Sequence, residues 1–161
     1  MPDVPVPDVP VPDVPVPDAS VPDVRHTATL TYAAAQRIVA AAAAEAERLG
    51  VAVCLAVADS AGHPLAFGRM VGAPLMSVQI AQDKAYTVAA FNGVPTHRWY
   101  DMISGEPALL NGIVHTERLV IFGGGVPVRS GDALLGAVGV SGGSADQDRA
   151  IAEAGAAAVT G

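Results

Sequence analysis

The sequence predicts an α+β domain with an antiparallel sheet of about five strands flanked by helices. Three observations carry this reading. Short apolar, β-branched runs come in pairs, joined by the turns Ser60-Ala61-Gly62-His63 and Ser130-Gly131-Asp132. Strands joined by such short turns run antiparallel. Alanine-rich stretches with helical spacing stand before, between and after the pairs, and must cover the faces of the sheet. The order is helix, hairpin, helix, strand, hairpin, helix, which is not the alternation of a doubly wound parallel sheet.

The first helix spans residues 31–49, with Thr31 as N-cap and Ala35, Ile38, Val39, Ala42, Ala46 and Leu49 on one face. Gly50 stops it. Residues 51–59 form a buried strand, and 64–70 return as its hairpin partner. Pro74 opens a second long helix that reaches about Asn92, and Thr96 caps a short helix through Met102. Residues 105–118 read as irregular chain. Residues 119–122 read as a strand, followed by Gly123, Gly124 and Gly125. Residues 126–129 and 133–140 make the second hairpin. Ser144 with Gln147 is a capping box for a last helix, from Ala145 to about Val159.

Charge and proline are unevenly spread along the 161 residues. Residues 1–24 hold eight of the 13 prolines and five of the 16 acids, and no base. Most of the net charge of −7 therefore sits on a tail, and residues 25–161 carry only −2. The tail repeats Pro-Asp-Val-Pro-Val from Pro2, Pro7 and Pro12. Proline fixes φ and bars the preceding residue from the helical region, so the tail is expected to be extended or disordered. As an arm, its valines would contact a neighbouring subunit or another partner. A chain without a basic footprint is a poor nucleic-acid binder. The longest apolar run, residues 51–58, falls well short of the ~20 residues of a membrane span. With no recognisable secretory signal, the chain reads as cytoplasmic.

Few residues offer chemistry outright. Cys54, the one cysteine, lies within a strand and reads as a buried structural thiol, and no Cys/His spacing suits a metal. The stretch Gly139-Val140-Ser141-Gly142-Gly143-Ser144 joins a strand to a helix start. Its amides could receive a carboxylate or propionate, or serve only capping and close packing. It lacks the Lys-Ser/Thr of a nucleotide loop. Lys84 shares a helix side with Ser77, Ile80, Thr87 and Phe91, among apolar neighbours. Such a lysine either snorkels to water or anchors an anionic ligand, and when desolvated could act as base or nucleophile. His26, His63, His97 and His115 have no helical metal spacing. Each reads as a surface or capping residue, or as a single axial ligand to haem iron. Phe91, Trp99, Tyr100 and Met102 could wall a flat apolar ligand or form a subunit contact. No Ser/His/Asp or Cys/His catalytic signature is present.

The chain resembles the GlcG/HbpS-like family, often called haem-binding or haem-degrading, whose domain also forms the C-terminal part of some corrinoid adenosyltransferases. The matching residues begin with Val57-Ala58-Asp59-Ser60-Ala61-Gly62-His63, Arg69-Met70, Gly72-Ala73-Pro74 and Asp83-Lys84-Ala85 with Thr87. Pro95-Thr96 and Gly123-Gly124-Gly125-Val126-Pro127 follow, then Gly136-Ala137-Val138-Gly139-Val140-Ser141-Gly142-Gly143, Gln147-Asp148 and Ala154-Gly155. They cover residues 30–161 and leave the tail outside. Val71 stands where the family often carries an acid.

The resemblance implies a profilin-like sandwich, assembly into a homo-oligomer, and haem or a related tetrapyrrole as small-molecule ligand. It implies a pocket drawn from His63, Arg69, Lys84, Thr87, Gly123, Gly124, Gly125, Gly142 and Gly143. Three functions remain open at this level. One is tetrapyrrole binding, with Arg69 or Lys84 facing propionates and a His or Thr near iron. The second is an enzyme on a small carboxylated or carbonyl metabolite, with Lys84 as anion anchor or base. The third is a non-catalytic assembly or sensor module.

Overall fold

A computed structural model of the chain describes Val24 and residues 26–159. Of the expected tail, 1–24, all but Val24 lies outside the described residues. The elements are α1 (Tyr32–Leu49), β1 (Cys54–Asp59), β2 (Pro64–Arg69), α2 (Ser77–Ala90), a 3-10 turn (Thr96–Arg98), α3 (Trp99–Ile103), α4 (Pro107–Ile113), β3 (Gly125–Ser130), β4 (Ala133–Ser141) and α5 (Ala145–Ala156). The strands form one antiparallel sheet in the order β2-β1-β4-β3.

Alternation along the strands splits the sheet into two unlike faces. Leu55, Val57, Val126, Val128, Val138 and Val140 point to one side and pack on Ile38, Ala42 and Ala46 of α1 and on Ile151 and Ala152 of α5. Cys54, Ala56, Ala58 and Ala137 point to the other, against Ala81, Ala85, Val88 and Ala89 of α2. Bulky residues hold α1 and α5 off the sheet, whereas small ones let α2 settle onto it. At the centre of that trough Gly139 pairs with Ala56 on one side and Gly125 on the other. A Cβ on Gly139 would collide with the Ala81 carbonyl and come within 2.6 Å of the Ala85 nitrogen. Backbone therefore rests on backbone, which only glycine permits.

Three of the expected caps are present, whereas Thr96 caps no helix: it lies within the 3-10 turn and its hydroxyl accepts from the Gly125 amide at 2.9 Å. Thr31 accepts from the Ala34 amide at 3.2 Å, Gly50 adopts φ 67° at the end of α1, and Ser144 and Gln147 close a reciprocal capping box on α5. Other expectations are corrected. The sheet has four strands, because residues 119–122 join no ladder. The Val120 amide, which a strand would commit to a neighbour, is donated to the Thr87 hydroxyl. Part of the segment expected to be irregular is helical, with Pro107 opening α4. β1 starts at Cys54 rather than residue 51, since the Val51 amide bonds back to Ala46 at the end of α1. α2 starts at Ser77, after a turn in which the Ser77 amide bonds the Pro74 carbonyl. The last helix ends at Ala156. Among the described residues no helix is long and apolar enough to cross a membrane.

Candidate functional site

The trough that receives α2 also swallows Lys84. Its side chain is 0% exposed, and Nζ donates to the Val140 carbonyl at 2.7 Å and to Asp148 Oδ2 at 2.8 Å. Asp148 lies in the first turn of α5, where the helix dipole favours an anion, and its Oδ1 accepts from the Gly143 amide at 2.9 Å. The Phe122 ring centroid lies 4.8 Å from Nζ. Gly124, at φ 117°, has no room for a Cβ, which would come 2.6 Å from Nζ. Gly124 thus walls the buried ammonium directly and Gly143 holds its counter-ion, whereas Gly123 abuts Ala145, Gly125 abuts Thr96 and Gly142 abuts Ala52 and Val53. Burial pulls the Lys84 pKa down, and the hydrogen bond and charge of Asp148 pull it back up. The ammonium neither snorkels nor stands open to a ligand, because its counter-ion is internal.

Thr87, one turn along α2, is also enclosed. Its hydroxyl donates to the Arg118 carbonyl at 2.9 Å and accepts from the Val120 amide at 3.0 Å, fastening residues 118–120 to the helix. That clamp holds Arg118 at φ 65°, a left-handed conformation that costs a non-glycine residue energy. The Arg118 guanidinium is itself fixed. Nε donates to Asp83 Oδ1 at 2.8 Å, and Cζ lies 3.8 Å from the centroid of the Tyr86 ring. Nη1 and Nη2 have no hydrogen-bond partner among the described residues.

Arg118 stands at the rim of a cleft of about 320 Å³ between α2 and the β1–β2 hairpin. Ala56, Ala58, Ala66 and the half-exposed Phe67 give it an apolar floor, and Gln79 and Gln82 line it from α2. Gly62 and Pro64, the chain neighbours of His63, line its hairpin end. The His63 ring is 77% exposed, with Nδ1 3.3 Å from Asp59 Oδ2. A proton on Nδ1 shared with Asp59 leaves Nε2 as a lone-pair donor, the arrangement that orients a histidine for a metal.

The residues singled out from sequence therefore separate. Lys84, Thr87 and residues 123–125 lie in the interior beside α2, Gly142 is half-buried and Gly143 exposed at the turn before α5, and His63 lies beside the cleft. Arg69 is exposed, and its Nη2 donates to the Ala73 carbonyl at 2.9 Å, bracing the loop after β2. His26 and His115 are exposed, while His97 is half-buried and burial pulls its pKa down. The aromatic group divides too: Trp99 is buried, edge-on to Phe91 at 4.4 Å, while Tyr100 and Met102 face outward. Cys54 is buried, as expected. No three His, Cys, Asp or Glu side chains cluster as a metal site among the described residues. Sequence reasoning missed Arg118, which sits in no periodic pattern, and gave Asp148 no role although it stands in a capped first turn.

The family model described as haem degrading protein HbpS-like matches residues 30–157. The chain belongs to the HbpS-like family. Its relatives differ in length. An uncharacterised 15.0 kDa protein from the dhaT–dhaS intergenic region of Citrobacter freundii is 39% identical over 127 residues, 78% of this chain and 89% of that one. The corrinoid adenosyltransferase PduO of the same organism is 34% identical over 81% of this chain, which spans only 39% of PduO. Among solved structures, that of the PduOC:haem complex superposes with a TM-score of 0.75 at 32% identity, covering 81% of this chain and 95% of that one. The α+β architecture expected from sequence is thus shared with HbpS-like structures.

Proposed function

We propose that this HbpS-like chain binds haem or a related tetrapyrrole in the cleft between α2 and the β1–β2 hairpin. The observation that carries the reading is the composition of that cleft: an apolar floor, a fixed guanidinium at the rim, and a carboxylate-buttressed histidine at one end. A tetrapyrrole such as haem has matching parts, an apolar macrocycle, acidic side chains and an iron that accepts a nitrogen ligand. The similarity to the PduOC:haem complex supports it. When bound, the iron would supply an open coordination position and one-electron chemistry. The chain's own part is to cover one macrocycle face with Phe67 and the alanines, and to offer His63 Nε2 as the nitrogen ligand. Exposed Val71, Leu75 and Met76, just beyond β2, support the homo-oligomer expected of the family.

Titration of the purified chain with haem tests this. The expected result is a saturable shift of the Soret band, changed in position and weakened in affinity by His63→Ala. Asp59→Asn, which removes only the buttress, is expected to weaken binding by roughly tenfold. A spectrum equal to that of free haem at every ratio would overturn the proposal.

A further inference from the structure

We propose that Arg118 is the carboxylate anchor of the cleft, so that the site selects tetrapyrroles whose acidic side chains are free. This rests on the cleft reading above and names the chemical group that the cleft recognises. Of the five N–H donors of a guanidinium, Asp83 engages the one on Nε. The four on Nη1 and Nη2 have no partner among the described residues, and paired amino groups match a carboxylate in a two-pronged contact.

The plane of those donors is set from three directions. Asp83 holds Nε, the Tyr86 ring lies beneath the guanidinium, and Thr87 clamps the Arg118 backbone in its left-handed conformation. Asp83 is held in turn by Gln79, whose Nε2 donates to Oδ1 at 2.9 Å. A surface arginine needs no such support. A brace for the loop alone would satisfy the guanidinium with protein carbonyls, as Arg129 does with Asn92 and Asp132. Here the amino groups are left over at the rim of an apolar cleft, where a preorganised donor loses little freedom when an acid arrives.

The test compares iron protoporphyrin with its dimethyl ester, on the wild-type chain and on Arg118→Gln and Arg118→Lys, with thermal melts to confirm folding. The wild type is expected to prefer the free acid by about tenfold or more. Arg118→Gln is expected to erase that preference while leaving ester affinity within about twofold. Arg118→Lys should keep part of it, since charge remains but the two-pronged geometry does not. Equal wild-type affinity for acid and ester overturns the anchor and leaves the cleft reading standing. So does a preference that survives Arg118→Gln, or an equal loss of acid and ester affinity in that variant. Failure of the wild type to bind either porphyrin overturns both.

Discussion

Replacing Lys84 by methionine is expected to destabilise the fold by about 3–5 kcal/mol, the cost of leaving one member of a buried ion pair alone. Asp148 is 4% exposed at its side chain and would keep a charge with no cation beside it. In a domain of this size the loss corresponds to a fall in Tm of roughly 10 °C or more. Asp148→Leu alone should cost as much, since it strands the ammonium and frees the Gly143 amide. The double variant Lys84→Met with Asp148→Leu is expected to recover most of the loss. Removing both charges leaves neither one stranded, and apolar replacement of a buried ion pair is often neutral or stabilising. Urea unfolding of the four proteins gives the coupling directly. A double variant as unstable as the sum of the singles would contradict the isolated pair.

Gly139→Val is expected to cost about 3 kcal/mol, at the upper end of overpacked cores. The obstruction is the backbone of Ala81 and Ala85, which no rotamer change can relieve. To accept a side chain, α2 must lift from the sheet, loosening Ala81, Ala85 and Val88 together. Because α2 also carries Lys84 and borders the cleft, any porphyrin affinity should fall with stability. Gly112→Ala is the matched control. It lies in α4 with nothing within 4 Å of a new Cβ, and should be neutral or raise stability by up to about 1 kcal/mol. Parallel urea curves for the two variants check the contrast.

These outcomes follow from features that differ in how far sequence reveals them. Thr31, Gly50 and the Ser144–Gln147 pair act within a few residues of themselves, so the helix ends they set are readable locally. The hairpins are legible for the same reason. The misread segment at 119–122 has the composition of a strand, yet Thr87, 33 residues away from Val120, takes the amide that a ladder would use. Lys84 shows a polar residue in apolar company, but its partner lies 64 residues on, and no local pattern joins them. Arg118 is harder still: its orientation depends on Asp83 and Tyr86 from another element and on a left-handed backbone imposed by Thr87. Among the family motifs, Lys84, Thr87, Gly124, Gly125 and Gly139 shape the seat of α2, whereas Gly142 and Gly143 pack on residues 51–53 and Gln147. The cleft beside that seat is visible only when the hairpin and helix are placed together.

Locating the porphyrin on the chain is the most direct test of binding in that cleft. Gallium protoporphyrin, which is diamagnetic, can be added to 15N-labelled protein while backbone amide signals are followed. The expected shifts fall on Gly62, Ala66, Phe67, Gln79 and Gln82, with α3 and α4 unmoved. Shifts confined to Phe91, Tyr100 and Met102, leaving the cleft residues in place, would contradict it.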